Sequence, residues 1–174
     1  MRCVRADRSA RRLRRVIPTP SSETVAAFWA EARGVVPTLP TDPPRPDRVW
    51  GFGATAEHAD GLLELVLAGV KTGTSGSLWD YEAEGEEVTA VGDLDVILDG
   101  SGTPRAIIET TDVRIVPFDE VTAEHAFAEG EDDRSLASWR RIHERFFTDY
   151  ASHDRGFDPR MPVVCERFRL VYPA

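Results

Sequence analysis

Between Thr55 and Val116 the spacing of apolar residues changes period once, and abruptly. Leu62, Leu63, Val66 and Leu67 recur at helical spacing, with Thr55 placed to cap that helix and Gly69 to stop it. From residue 72 onward the pattern is strand-like: residues 72–79, then 93–98, a turn at Asp99-Gly100-Ser101-Gly102, and a long strand over 105–116. A third helical region covers 122–129. A fourth covers 135–150, with Trp139, Ile142, Phe146 and Phe147 on its apolar side, and residues 162–172 close the chain as a strand. The order helix, strands, helices, strand, with no internal repeat, predicts an α+β fold built on a small curved sheet or barrel.

Ahead of that block, Ser21 and Ser22 offer N-caps for a helix through Thr24, Val25, Phe28 and Trp29, which Gly34 is placed to end. Residues 37–46 carry too many prolines for regular structure. The helix before them is too short to fold alone, so this stretch reads as a loop wrapped on the domain. Arg2, Arg5, Arg8, Arg11, Arg12, Arg14 and Arg15 make residues 1–20 a basic leader, expected to be solvated and disordered; an arm that meets nucleic-acid phosphates is the sharper alternative. The expected organisation is thus a leader over 1–20, a helix and Pro-rich loop over 21–49, and one domain over 50–174.

At 174 residues, 41% hydrophobic and 29% charged, the chain has enough apolar material for one domain with a real core. A net charge of −9 argues against a broad grip on duplex DNA, because such binding relies on basic side chains neutralising phosphates. Cys3 and Cys165 form neither a metal-like pair nor a disulfide framework, no apolar run is long enough to span a bilayer, and no signal-peptide core follows the arginines. The expected compartment is the cytoplasm.

One lysine occurs in the chain, Lys71, and every other formal cation is arginine. An ammonium is a compact charge whose pKa its surroundings can move, whereas a guanidinium stays charged and forks onto planar anions. Lys71 directly follows the predicted helix end, and the Gly and Ser residues after it permit a ligand to approach the backbone.

Three segments carry a family resemblance. Gly69-Val70-Lys71-Thr72-Gly73-Thr74 matches a G-x-K-x-x-T element, and Glu124-His125-Ala126-Phe127-Ala128-Glu129-Gly130-Glu131 resembles a downstream helix that returns an acidic residue to the same pocket. The third is Asp133-Arg134-Ser135-Leu136-Ala137-Ser138-Trp139-Arg140, followed by His143 and Phe146-Phe147. Together they resemble the ASCH domain of the PUA-like superfamily, in its larger sub-group, over roughly residues 50–172. The resemblance implies a small curved β-barrel flanked by helices and an association with RNA or modified nucleosides. Some small ASCH proteins hydrolyse the acyl amide of N4-acetylcytidine with a lysine, a threonine and a glutamate; the matching positions here are Lys71, Thr74 and Glu129. Those proteins follow the threonine with an arginine, whereas this chain reads Ser75-Gly76-Ser77. Other ASCH proteins cleave single-stranded RNA, and many PUA-like barrels bind without doing chemistry.

Amide hydrolysis needs a nucleophile, a base to activate it, and cationic or hydrogen-bonding groups where the oxyanion forms. Glu129 suits activation of water or of the Thr74 hydroxyl, and Lys71 suits tuning that nucleophile or stabilising the oxyanion. Thr72, Ser75, Ser77 and His125 are substrate-binding candidates, and Trp79 and Tyr81 are stacking candidates for a base. Each has a plainer reading. Thr74 can simply decorate a strand, Glu129 can be a solvated helix residue beside the acidic run 131–133, and His125 can be structural. Ser135 reads as an N-cap rather than a nucleophile, and Trp139 and Phe146 as core. No closed metal-ligand spacing is present, so no metal or cofactor is expected. The expected partner is a modified nucleoside or single-stranded RNA, with a hydrolase acting on a nucleobase amide first, a ribonuclease second and a non-catalytic binding module third.

Overall fold

Local capping sets the helix starts in this computed structural model, which describes residues 17–173. The leader expected over 1–20, Cys3 included, lies almost wholly outside the described residues. Ser21, Thr55, Thr122 and Ser135 each accept a hydrogen bond from the backbone N–H three residues on, fixing the first turns of α1 (Ser22–Val35), α2 (Ala56–Leu67), α4 (Ala123–Glu129) and α5 (Leu136–Asp149). Helix α1 runs through Gly34 and one residue beyond, a small departure from the predicted stop.

The strands are β1 (Val49–Trp50), β2 (Gly73–Ser77), β3 (Leu94–Leu98), β4 (Pro104–Pro117) and β5 (Pro162–Tyr172). They form one mixed sheet in the order β1-β3-β4-β5-β2, parallel between β1 and β3 and antiparallel elsewhere. The fourteen-residue β4 is its spine. Irregular register on β4 near Ile107 and Thr110 bends the long β4–β5 pair. The barrel expected from sequence is not closed: β1 and β2 stand at opposite edges without pairing, and side chains bridge towards the gap. Tyr81 donates to Glu166 on β5, and Arg48 beside β1 donates to Thr89 and Asp93.

Residues 72–79, read as one strand, divide in the structure. β2 ends at Ser77 and Leu78 starts a short helix, α3 (Leu78–Glu84), which Gly85 ends with φ +68. From Trp79 the Leu-Trp-Asp-Tyr-Glu-Ala-Glu run alternates apolar and acidic residues as a strand would, yet it folds as a short helix packed on β2 and β5.

Three clusters make the core. Trp29 and Ala32 of α1 pack with Val96, Leu98 and Ile107 on one face of the sheet. Leu63 and Val66 of α2 pack with Ile97, Ala106, Ile108 and Phe168 on the other. At the far end of the β4–β5 pair, Val163 and Cys165 meet Phe118, Trp139 and Phe147. Residues of α2, β2, α4 and α5 thus line one cavity together with Lys71, which lies just before β2.

Candidate functional site

Lys71 is 2% exposed, and the turn that delivers it is tightly specified. Gly69 takes φ +70 after α2, and the amides of Val70 and Lys71 both donate to the Leu65 carbonyl. Thr72 then bonds in both directions, its N–H to the Ala128 carbonyl at the end of α4 and its carbonyl to the N–H of Phe168 on β5. The approach of α4 needs a glycine at 130, with φ +75, because a Cβ there would lie 2.8 Å from the Val70 carbonyl oxygen.

That geometry sets two carboxylates on one ammonium. Lys71 Nζ lies 3.2 Å from Glu129 Oε2 and 2.8 Å from Glu131 Oε1, and donates to the Glu129 carbonyl at 3.4 Å. The Phe52 ring lies beneath, 5.4 Å from Nζ to its centroid. Burial disfavours the ammonium, but Glu129 and Glu131 outweigh it and hold its pKa above the ordinary lysine value.

Glu129, 1% exposed, is the hub. Its Oε1 accepts from Ser75 Oγ and from Trp139 Nε1, both at 2.6 Å, and lies 3.2 Å from His125 Nε2; its Oε2 lies 3.5 Å from His143 Nε2. Burial alone would push this carboxyl up, yet His143 and Lys71 pull it well below the usual carboxylate range. The ring of His143 stacks on Trp139 with centroids 4.2 Å apart, and its Nδ1 donates to the Trp139 carbonyl at 3.0 Å. Burial lowers the His143 pKa, the charge of Glu129 raises it, and the net shift is upward.

Lys71, Glu129, Glu131 and His143 open onto a cavity of about 340 Å³, within the size range of small-molecule sites. Phe52, Leu62, Ile142 and Phe146 give it apolar walls, and Thr74, Ser75, Glu57 and His58 add polar ones. The Thr74 hydroxyl makes no hydrogen bond among the described residues. No three or more His, Cys, Asp or Glu side chains among those residues are grouped to hold a metal ion.

The chain is similar over its domain to known proteins. The family model described as the ASCH domain matches residues 48–172. This chain belongs to the ASCH domain family. The solved ASCH domain from Lactobacillus crispatus JV V101 is 28% identical with a TM-score of 0.74, the match covering 86% of this chain and 95% of that one. A crystal structure of a protein from Enterococcus faecalis V583, described by the family model DUF984, is 36% identical with a TM-score of 0.75, covering 87% and 92%. No curated protein matches. The fold is therefore the PUA-like α+β arrangement of ASCH domains, a family linked to RNA binding, here with its sheet left open. Among the described residues no helix is long and apolar enough to cross a membrane.

Within this ASCH domain the structure brings Lys71, Thr74, Ser75 and Glu129 to one cavity. His125 reaches it indirectly, 2.9 Å from Ser75 Oγ, while facing a separate groove with Arg114 and Arg167. Thr72 turns its hydroxyl to the Ala128 carbonyl, and Ser77 is buried outside the cavity. Trp79 and Tyr81 do not serve as stacking walls of this cavity, because α3 carries them away: Trp79 packs edge-on against His153, and the Tyr81 hydroxyl is held by Glu166. The phenyl rings that line it are those of Phe52 and Phe146. Glu131, expected in a solvated acidic run, is instead a partner of Lys71. Trp139 is core as expected, and in addition a hydrogen-bond donor to the site. The signal for its double role was its spacing four residues before His143, which puts both on one helix face.

Proposed function

We propose that this ASCH domain is a hydrolase acting on a nucleobase that carries an acyl amide, with N4-acetylcytidine as the test substrate. The observation that carries the reading is a buried lysine kept protonated by Glu129 and Glu131 at the wall of a nucleoside-sized cavity. In this reading a base lies between Phe52 and Phe146. Its acyl oxygen replaces the longest contact of Lys71, the 3.4 Å hydrogen bond to the Glu129 carbonyl, and the ammonium stabilises the oxyanion as it forms. Thr74, with its unengaged hydroxyl, orients the attacking water or attacks in its place. Glu129, already accepting from several donors, holds Lys71 and Ser75 in position.

The ribonuclease alternative fits the charges less well. Glu57, Glu129 and Glu131 share the cavity with Lys71 and no arginine among the described residues lines it, so a phosphodiester there meets more negative than positive charge. The deciding experiment incubates acetylated cytidine and a short unstructured RNA separately with the wild type and Lys71→Met, followed by liquid chromatography. Wild-type deacetylation that falls about a hundredfold or more in the variant supports the proposal. Shortened RNA without deacetylation replaces it with the ribonuclease reading, and binding without turnover of either replaces it with a binding module.

A further inference from the structure

An amide breaks only if the departing nitrogen receives a proton, and few groups at this cavity can supply one. Lys71 is fixed as an ammonium by two carboxylates, and all three of its N–H bonds are engaged. Glu129 is fixed as a carboxylate whose oxygens already accept from Ser75 and Trp139 and face Lys71, His125 and His143. Neither gives up or takes a proton cheaply. His143 differs in its surroundings. Its Nδ1 proton is committed to the Trp139 carbonyl, so Nε2 is the atom directed at Glu129 and the cavity. The ring is clamped between the Trp139 indole and the edge of Phe147, whose centroid lies 5.7 Å away. At 3.5 Å, Nε2 is too far from Glu129 Oε2 for a good hydrogen bond, so its proton can pass to a ligand atom.

We propose that His143 delivers the proton to the leaving amine nitrogen, an assignment that rests on the amide reading above. As the water oxygen bonds to the acyl carbon, the carbonyl electron pair moves onto the oxygen beside Lys71, and His143 Nε2 gives its proton to the nitrogen. The proton of the attacking water refills Nε2. Collapse of the oxyanion then breaks the C–N bond, releasing the carboxylic acid and the amine and leaving the imidazolium as it began. The groups that set its charge are Glu129 from α4, Glu131 from the following loop, Lys71 from the segment before β2 and the Trp139 carbonyl on its own helix. Those surroundings shift its pKa upward, which favours the protonated ring.

The test compares His143→Gln with the wild type on two substrates. One is acetylated cytidine, whose amine needs a proton to leave; the other is p-nitrophenyl acetate, whose phenolate leaves without one. Expected is a loss of about a hundredfold or more on the amide, and a loss at least about tenfold smaller on the ester. The wild-type amide rate should also fall as pH rises through the His143 pKa, and the variant should lack that limb. Equal losses on both substrates, with circular dichroism showing a folded variant, would overturn the assignment, as would amide turnover within about threefold of wild type. A wild type inactive on the amide overturns the hydrolase reading itself, a result distinct from either.

Discussion

Trp139 donates its indole N–H to Glu129 Oε1 across 2.6 Å, so a ring belonging to the hydrophobic stripe of α5 also helps fix the charge at the site. Its carbonyl holds His143 in turn. Replacing Trp139 with Phe keeps most of the apolar volume and leaves Glu129 one donor short. The expected cost is about 1–3 kcal/mol, the penalty for an unmet buried polar group plus a small cavity, read from urea unfolding at neutral pH. An unchanged midpoint would show that the hydrogen bond contributes nothing.

Lys71 and Glu129 should behave as a coupled pair. Lys71→Met or Glu129→Gln alone strips a partner from a buried charge and is expected to cost about 3–5 kcal/mol. The double variant removes both charges and should be more stable than the sum of the single losses by about 1 kcal/mol or more. Strict additivity in a double-mutant cycle would contradict the geometry.

Glu166 predicts a pH dependence of its own. Burial, with Asp95 adding to it and Tyr81 opposing, pushes its carboxyl from 4.5 to about 7. A folded pKa above the unfolded one means that the folded state holds the proton longer, so stability is lost as pH rises between those two values. The shift corresponds to about 3 kcal/mol, and Glu166→Gln should recover much of it at pH 8 while changing little at pH 4. Urea midpoints at the two pH values test this, and an equal effect at both would refute it. Glu129 has the opposite sign: its depressed pKa stabilises fully above its ordinary value of 4.5, and that contribution is lost as acid titrates the folded carboxylate.

Phe146→Ala should weaken binding of a cytidine ligand by about 1–3 kcal/mol, the usual worth of a base–aromatic contact, with little change in kcat. Calorimetric titration checks it. Unaltered affinity would move the base away from this wall.

Much of the fold was legible because it rests on local signals. Ser21, Thr55 and Ser135 cap where capping preference puts them, and the strands read over 105–116 and 162–172 appear as β4 and β5. What escaped depends on tertiary contacts. The reading of 72–79 as one strand failed at Leu78, where a short helix folds against β2 and β5 and has too few residues to show a period. The sheet's open seam could not be read either, since closure depends on whether two distant edges meet. At the site, the Lys71–Glu129 pairing followed from the G-x-K-x-x-T resemblance, and the structure brings the two together. Glu131 and His143 were hidden for different reasons. The first sits in an acidic run that looks solvated, and the second on a helix face whose neighbours were assigned to the core.

Gly130 separates Glu129 from Glu131 and, with φ +75, turns the chain so that both carboxylates reach the same ammonium. The charge balance around Lys71 is therefore encoded in three consecutive residues, while the histidine beside it comes from another helix. Over generations such a site can be retuned in two separate steps: changes at 129–131 alter how firmly the lysine is held, and changes at 143 alter what it works with. A lineage can alter either part without rebuilding the sheet beneath.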